Sequence, residues 1–490
     1  MPRLRSRFAR FAFADDGSVT TRVLRSGLWV GMGETFMTVL AVMKSVILAR
    51  LLAPEMFGLM GLCAIVIGAM ETFTRPGIGQ ALIQRQSSFE EARDTAFTLL
   101  VVRGFLLAVV LIVLAPYAAR YYAAEELGLM LQFLSIVFVV GGLANINTIA
   151  RQKELNFRHL TYVNQCSALL GTIITIVAAY VLRSVWALVI GQISTTTIHT
   201  LLSYYFIPGK PRLRLNKKIA FELIAYGKFI TASSVVLFTA THIDTVVIGK
   251  VLGTETLGYY VLAFTFANLV TSNISKLASG IMMPAYSKLQ GDIPKLRSAY
   301  LRTLNLVSLL TFPATAGVLV TASFIVNTVY GPKWAPAVAP LQILVVFGLF
   351  RSLAAISGYL FEGIGKPQIS LYSAAGRLVL LGALILPASA TFGLTGAAVA
   401  VTVAMFLQWI IFLAVMRRVV GITILDTAGS VAGPLWKTGV MGLCVFGLTQ
   451  LADGTTLVGL AVLIGAGVGI YAVLNIRVAR QLLVDLKNSK

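Results

Sequence analysis

Ionisable side chains lie inside long apolar stretches of this 490-residue chain, where a charge costs free energy unless water or a partner solvates it. The cations that concern us are Arg75, Arg103, Lys276, Arg351 and Arg377. Arginine suits phosphate because its planar guanidinium can donate hydrogen bonds to two oxygens at once. Cations in several separate stretches therefore predict a hydrated basic chamber that binds a phosphate-bearing anion, and these five are its candidate binding residues.

A second set of charged residues in the apolar stretches suggests a gate or an ion-coupling device: Lys44, Asp244, Glu34 and Glu71. Lys44 and Asp244 have opposite charge and stand 200 positions apart, at equivalent places of an internal repeat. A pair across the two halves that acts as a gate is one interpretation of this placement, and ordinary helix packing is the other. Glu71 precedes Arg75 by four residues, a spacing at which the two side chains can also simply neutralise each other.

The stretches that carry these charges are predicted to be membrane helices. Of all residues 57% are hydrophobic and only 12% are charged, whereas soluble domains carry about 25% charged residues. This composition argues against soluble enzymes, secreted domains and disordered scaffolds. Continuous apolar runs of about 20 residues cross lipid as helices, because a helix satisfies its own backbone hydrogen bonds.

We predict an all-α integral membrane protein with about fourteen spanning helices. The candidate spans are residues 27–50, 57–80, 95–115, 127–149, 160–182, 185–206, 222–248, 257–283, 303–326, 337–361, 369–390, 394–416, 431–451 and 456–477. With the N-terminus inside, 27 of the 40 Lys and Arg residues fall in inside segments and only 5 in outside segments. This bias predicts that both termini are cytoplasmic. It also accounts for the net charge of +21 through attraction to anionic membrane lipid, without nucleic acid as a partner.

The chain resembles itself weakly at an offset of about 200 residues. Residues 49–58 share Leu, Glu and Gly positions with residues 249–258, and residues 131–162 share several positions with residues 341–372. Six helices separate the copies, which predicts two lobes in parallel orientation around a central cavity. The predicted parts are a basic cytoplasmic tail (1–26), a six-helix N-lobe (27–206), a basic linker (207–221), a six-helix C-lobe (222–416) and a segment with two further helices and a cytoplasmic C-terminus (417–490).

Signatures of enzymatic chemistry are missing from the sequence. There is no GxxxxGK[ST], HExxH, GxSxG or EF-hand loop, and the three cysteines and three histidines lack metal-ligand spacing. We therefore expect a transporter and not an enzyme, with no catalytic residues, no metal and no cofactor.

Five segments resemble polysaccharide flippases of the Wzx/WzxC type, in the multidrug/oligosaccharidyl-lipid/polysaccharide exporter superfamily. They are LARLLAPEMFG at 48–58, GIGQALIQR at 77–85, QKELNF at 152–157, PAYSKLQ at 284–290 and YGPKW at 330–334. The resemblance extends over residues 24–420 and implies two six-helix lobes around a basic cavity, plus two C-terminal helices. It fixes no individual site residue.

The resemblance implies transport of undecaprenyl-diphosphate-linked oligosaccharide repeat units across the bacterial inner membrane by alternating access. The product would serve exopolysaccharide, capsule or O-antigen (lipopolysaccharide) biosynthesis, with a polysaccharide polymerase and co-polymerase as candidate partners. Three alternatives stay open. A cation-coupled multidrug exporter of the same superfamily would more naturally have an acidic cavity, and a membrane glycosyltransferase would need an acidic site in a large exposed loop. The third is a component of a polysaccharide assembly complex that does not itself transport.

Overall fold

The computed structural model describes the backbone of residues 19–74, 77–84, 89–154, 156–450 and 456–476. Side chains are described in the same ranges apart from residues 19–30, 84, 226–233 and 270–281. The described residues are almost entirely helical and contain no strand. Two of the predicted cations, Arg75 and the side chain of Lys276, lie outside the described part, as does most of the basic N-terminal tail.

The chain divides into two compact units whose boundary lies between Val235 and Val236. Unit 1 contains α1 (Val19–Leu51), α2 (Pro54–Thr74), α3 (Ile78–Gln84), α4 (Phe89–Tyr122), α5 (Glu125–Leu134), α6 (Ile136–Gly142), α7 (Asn147–Lys153), α8 (Phe157–Leu182), α9 (Trp186–Phe206) and the first part of α10 (Lys217–Val251). Unit 2 contains the rest of α10, α11 (Gly253–Leu289), α12 (Ile293–Phe324), α13 (Val338–Gly363), α14 (Pro367–Val419), α15 (Ile424–Thr449) and α16 (Leu457–Leu474). A π-helical turn and a 3₁₀ turn connect α12 to α13.

Eleven helical segments of the described residues are long and apolar enough to cross a membrane. Their outer surfaces are apolar as well: on α4, Val102, Leu106, Val109 and Val113 are all exposed. Such surface is unfavourable in water and favourable against lipid tails. The chain is therefore a multi-pass, all-α membrane protein, as predicted. Each of the fourteen predicted spans overlaps a helix, while the number of crossings and the symmetry of the lobes stay predictions.

Helix α2 ends earlier than the predicted span 57–80. Its last residue is Thr74, and Gly77 has a φ of 57° before α3 begins at Ile78. The sequence favours a break here, because Pro76 lacks the amide hydrogen that a continuing helix needs. Helix α10, in contrast, begins at Lys217, before the predicted end of the linker at residue 221.

Two predicted spans, 369–390 and 394–416, form the two arms of α14, which turns back at Gly393. The Sδ atom of Met405 lies 3.6 Å from Nη1 of Arg377, although the two residues are 28 positions apart. In a straight helix they would be about 42 Å apart. The arms approach so closely beyond the turn that a Cβ on Gly396 would lie 2.1 Å from the Ala388 carbonyl oxygen. Helix α14 is thus a helical hairpin, and its fold brings Arg377 against the second arm.

Replacing Gly393 by alanine should destabilise this hairpin. The residue has a φ of 58° and a ψ of −140°, a region that is essentially confined to glycine, so an alanine there should cost about 1–3 kcal/mol. Thermal unfolding of the purified protein in detergent measures the effect as a lower melting temperature. Gly447→Ala is the matched control, because that glycine lies within α15 with no atom within 4 Å of an added Cβ. Equal melting temperatures for the two variants would contradict the assignment of the turn.

Candidate functional site

Arg351 lies near the middle of α13, about 20 Å along the helix from Val338. Its side chain is half-buried, and Nη1 donates a hydrogen bond to Oδ1 of Asn268 on α11. The guanidinium is thus held by a neutral amide, which leaves its positive charge uncompensated by that contact.

Arg377 lies on the first arm of α14, about 15 Å from Pro367. Its Nη1 makes a weak hydrogen bond to the Met405 sulfur. Its Nε is buried and has no hydrogen-bond partner among the described residues. Arg351 and Asp244 are both within electrostatic range of this guanidinium. No carboxylate of a described residue lies within 4.0 Å of either arginine.

Asp244 on α10 is the buried carboxylate of this group, with only 2% of its surface exposed. It accepts hydrogen bonds from the Tyr260 hydroxyl on α11, and from the Thr245 backbone N–H at 2.8 Å and the Thr245 hydroxyl at 3.3 Å. This carboxylate lies within electrostatic range of Arg377, and it is already hydrogen-bonded to neutral donors. We call these five residues, Asp244, Tyr260, Asn268, Arg351 and Arg377, the cationic cluster of unit 2.

The first arm of α14 carries a polar stripe beside the cluster. Ser370, Ser373 and Arg377 are spaced i, i+3 and i+7, which places them on one helix face. The two serine hydroxyls, and the indole nitrogen of Trp409 on the second arm, are buried without a hydrogen-bond partner in the described residues. Buried polar atoms nearly always have a partner, so the hairpin has hydrogen-bonding capacity available for a polar ligand or water.

Arg103 in unit 1 has a different environment. Its Nε donates to the carbonyl and the hydroxyl of Thr74, both at 3.1 Å, and Nη2 donates to the carbonyl of Glu71 at 3.0 Å. These groups lie in the last turn of α2, where free carbonyls carry partial negative charge. The 21 residues of α2 extend about 31 Å, roughly one bilayer thickness. Arg103 therefore caps the end of α2. The position of Arg103 within its predicted span did not suggest this structural contact.

The candidate gate residues differ in how far they are buried. Glu34 and Glu71 are exposed, and Lys44 is half-buried on α1. The described hydrogen bonds of Asp244 all come from unit 2, and Arg75 is not described, so the Lys44–Asp244 and Glu71–Arg75 pairs stay predictions. Within the described ranges, no group of three His, Cys, Asp or Glu residues could hold a metal ion.

Sequence reasoning missed several members of this site. Tyr260 and Asn268 are polar residues in an apolar helix with no motif around them, so no pattern singled them out. The spacing of Ser370, Ser373 and Arg377 is visible in the sequence and would have identified the polar stripe.

Comparisons with known proteins agree with this membrane architecture. Residues 47–339 match the family Polysacc_synt_3, described as polysaccharide biosynthesis protein. The chain is 26% identical over 396 residues to the lipopolysaccharide biosynthesis protein WzxC of Escherichia coli (strain K12), which covers 80% of each chain. It is 24% identical over 465 residues to the teichuronic acid biosynthesis protein TuaB of Bacillus subtilis (strain 168), covering 94% of this chain and 96% of that protein.

A solved structure of the lipid II flippase MurJ, in an inward closed conformation, has a similar fold. The TM-score is 0.76 at 14% sequence identity, and the match covers 93% of this chain and 99% of that chain. At this identity the likeness concerns the fold, and the side chains of the site must be judged from their own geometry.

Replacing Arg103 by glutamine should destabilise the protein, because the end of α2 loses its charged hydrogen-bond donor. We expect a loss of about 2 kcal/mol or more, the range for hydrogen bonds that involve a charged group. Melting temperature in detergent reports the change. Arg120→Gln, at an exposed position in the last turn of α4, is the control and should melt like the wild type. An Arg103→Gln protein as stable as this control would contradict the capping role.

Proposed function

The chain belongs to the polysaccharide biosynthesis protein family, and from this premise we propose that it is a flippase for lipid-linked oligosaccharides. The proposed substrate is an undecaprenyl-diphosphate-linked oligosaccharide repeat unit, carried across the bacterial inner membrane by alternating access. Relatives named for lipopolysaccharide and teichuronic acid biosynthesis support this proposal, as does a fold neighbour named as a lipid II flippase.

We also propose an orientation of the chain in the membrane, a use for the transported product and two partner proteins. Both termini face the cytoplasm, and the product enters exopolysaccharide, capsule or O-antigen assembly. A polysaccharide polymerase and co-polymerase are the proposed partners on the far side of the membrane.

The observation that carries the proposal is the positive excess of the cationic cluster. A diphosphate esterified at both ends is a dianion, and Arg351 and Arg377 offer it two planar guanidinium forks at mid-helix positions. Arg351 would replace its hydrogen bond to the neutral Asn268 amide by one to a phosphate oxygen. The buried Nε of Arg377 would gain a hydrogen-bond acceptor. Both exchanges improve the solvation of the arginines, so the anion and the site stabilise each other.

The oligosaccharide has candidate contacts on α14 and α13. The hydroxyls of Ser370 and Ser373 and the indole N–H of Trp409 can hydrogen-bond to sugar hydroxyls. Phe350 packs with its ring centroid 4.9 Å from that of Phe406 and 5.7 Å from that of Trp409, which gives flat apolar surface beside these donors. The polyprenyl tail stays in the lipid.

The charge of the cluster argues against the rival functions. A cation-coupled drug exporter needs negative charge for cationic drugs, and a cluster of two guanidiniums and one carboxylate would repel them. A non-transporting assembly component needs no excess charge at mid-membrane positions, where charge costs stability.

Purified protein in lipid vesicles should move a fluorescent polyprenyl-diphosphate oligosaccharide between leaflets. The readout is the fraction of label that an added membrane-impermeant quencher reaches over time. Vesicles that lack the protein give the background rate. Movement no faster than this background under every imposed ion gradient would contradict the flippase assignment.

Removing the charge of the cluster should abolish most of this movement. Arg351→Gln and Arg377→Gln should each lower the rate about tenfold or more, because a hydrogen bond to a charged group contributes about 1.5–3 kcal/mol. Arg377→Lys should be intermediate, since it keeps the charge and loses the planar fork. Arg302→Gln, an exposed position on α12, is the control. Normal rates for both cluster variants, at normal protein levels, would show that the diphosphate binds elsewhere.

A further inference from the structure

Residues 207–216, which connect α9 to α10, form a non-helical segment that is fixed to unit 1; we call it the basic strap. The first turns of α4 hold it by three side chains. Asp94 accepts from the backbone N–H of Arg212 at 3.1 Å, the Thr98 hydroxyl donates to the carbonyl of Arg214 at 2.9 Å, and Thr95 accepts from the N–H of Asn216 at 3.1 Å.

A second anchor holds the beginning of the strap. The buried side chain of Asn145 donates hydrogen bonds to the carbonyls of Ile207 at 2.9 Å and Gly209 at 3.1 Å. The strap therefore has a defined backbone path although it belongs to no helix. All of these anchors use strap backbone atoms, and the side chains of residues 212–215 are exposed.

The exposed side chains of the strap alternate between basic and apolar. Arg212 and Arg214 are exposed, and between and after them Leu213 and Leu215 have 67% and 57% of their surfaces exposed. The same mixture continues into α10, where Lys217, Lys218 and Phe221 are exposed. In a loop surrounded only by water, large aliphatic side chains that are held exposed would be destabilising.

The position of the strap explains this mixture. Tyr204 and Tyr205 lie in the last turn of α9, before the strap, and both rings are exposed, as tyrosines are at the interface between hydrocarbon and headgroups. We infer from these rings that the strap follows at headgroup level, on the side that the charge bias predicts to be cytoplasmic. Leucines that enter the acyl boundary and guanidiniums that stay among phosphates are the pattern of an interfacial anchor.

We propose that the basic strap and the start of α10 form a docking site for the phosphate headgroups of anionic lipid in the cytoplasmic leaflet. The arginines bind the phosphodiester oxygens, and Leu213 and Leu215 lie against the upper acyl chains. The anchored backbone preorganises these side chains, which lowers the entropic cost of binding. This site is separate from the cationic cluster of unit 2 and does not depend on the transported substrate.

The test is the affinity of the full-length protein, in neutral detergent, for phosphatidylglycerol and for phosphatidylcholine. Native mass spectrometry counts the bound lipids across a titration. Arg212→Gln/Arg214→Gln keeps the backbone anchors and should weaken phosphatidylglycerol binding about tenfold or more, since each basic residue near a lipid surface contributes about 1 kcal/mol. Phosphatidylcholine binding should change little. Leu213→Ser/Leu215→Ser should weaken the binding of both lipids.

The control removes the same charge from another exposed position. Arg417→Gln/Arg418→Gln changes two adjacent cations at the end of α14 and should keep phosphatidylglycerol affinity within about twofold of the wild type. Wild-type affinity in the strap variant, or an equal loss in the control, would overturn the proposal. A titration with inorganic pyrophosphate distinguishes a lipid headgroup from a free diphosphate as the ligand of the strap. Pyrophosphate binding that falls in the strap variant, while phosphatidylglycerol binding does not, would assign the strap to a free diphosphate and would also overturn it.

Discussion

A guanidinium in the middle of a membrane helix must be solvated by protein, water or ligand, and this requirement governs the proposed site. Arg351 satisfies it with the neutral amide of Asn268, and Arg377 satisfies it only in part, with the sulfur of Met405. The carboxylate within electrostatic range of Arg377, Asp244, is already bonded to Tyr260 and Thr245. A close ion pair on each arginine would have cancelled the field that an anion needs. The arrangement instead leaves both arginines without a close ion pair among the described residues, as the proposed diphosphate site requires.

The fold produces this arrangement through one turn. Gly393 reverses α14, so that the arm with Arg377 lies against the arm with Met405 and Trp409. The same arm has Ser370 and Ser373 on the helix face of Arg377, so the guanidinium and two hydroxyl donors lie along one face of the helix. Unit 1 uses its intramembrane arginine differently: Arg103 stabilises the end of α2. The two units thus differ in how they use a half-buried arginine, although weak sequence echoes connect them.

The long apolar runs were sufficient to predict an all-α multi-pass membrane protein, because lipid leaves the backbone almost no alternative to the helix. The family was also recognisable, since the segments at residues 48–58 and 330–334 both lie within the region that matches it. Helix ends were less predictable: the span 57–80 was extended through Pro76 and Gly77, although both residues favour a break. Side-chain partners were the least predictable. The bonds of Asp244 to Tyr260 and of Arg351 to Asn268 depend on how helices rotate and tilt against each other, and hydropathy carries no information about that.

The central claim is that the cationic cluster of unit 2 binds the diphosphate of a lipid-linked sugar. A structure of the protein with a short-chain polyprenyl-diphosphate sugar bound tests it most directly, through the distances from phosphate oxygens to the nitrogens of Arg351 and Arg377. We predict that both guanidiniums lie within hydrogen-bonding distance of the diphosphate and that Arg351 has released Asn268. A diphosphate bound away from both arginines, with each arginine paired to a carboxylate, would contradict the account.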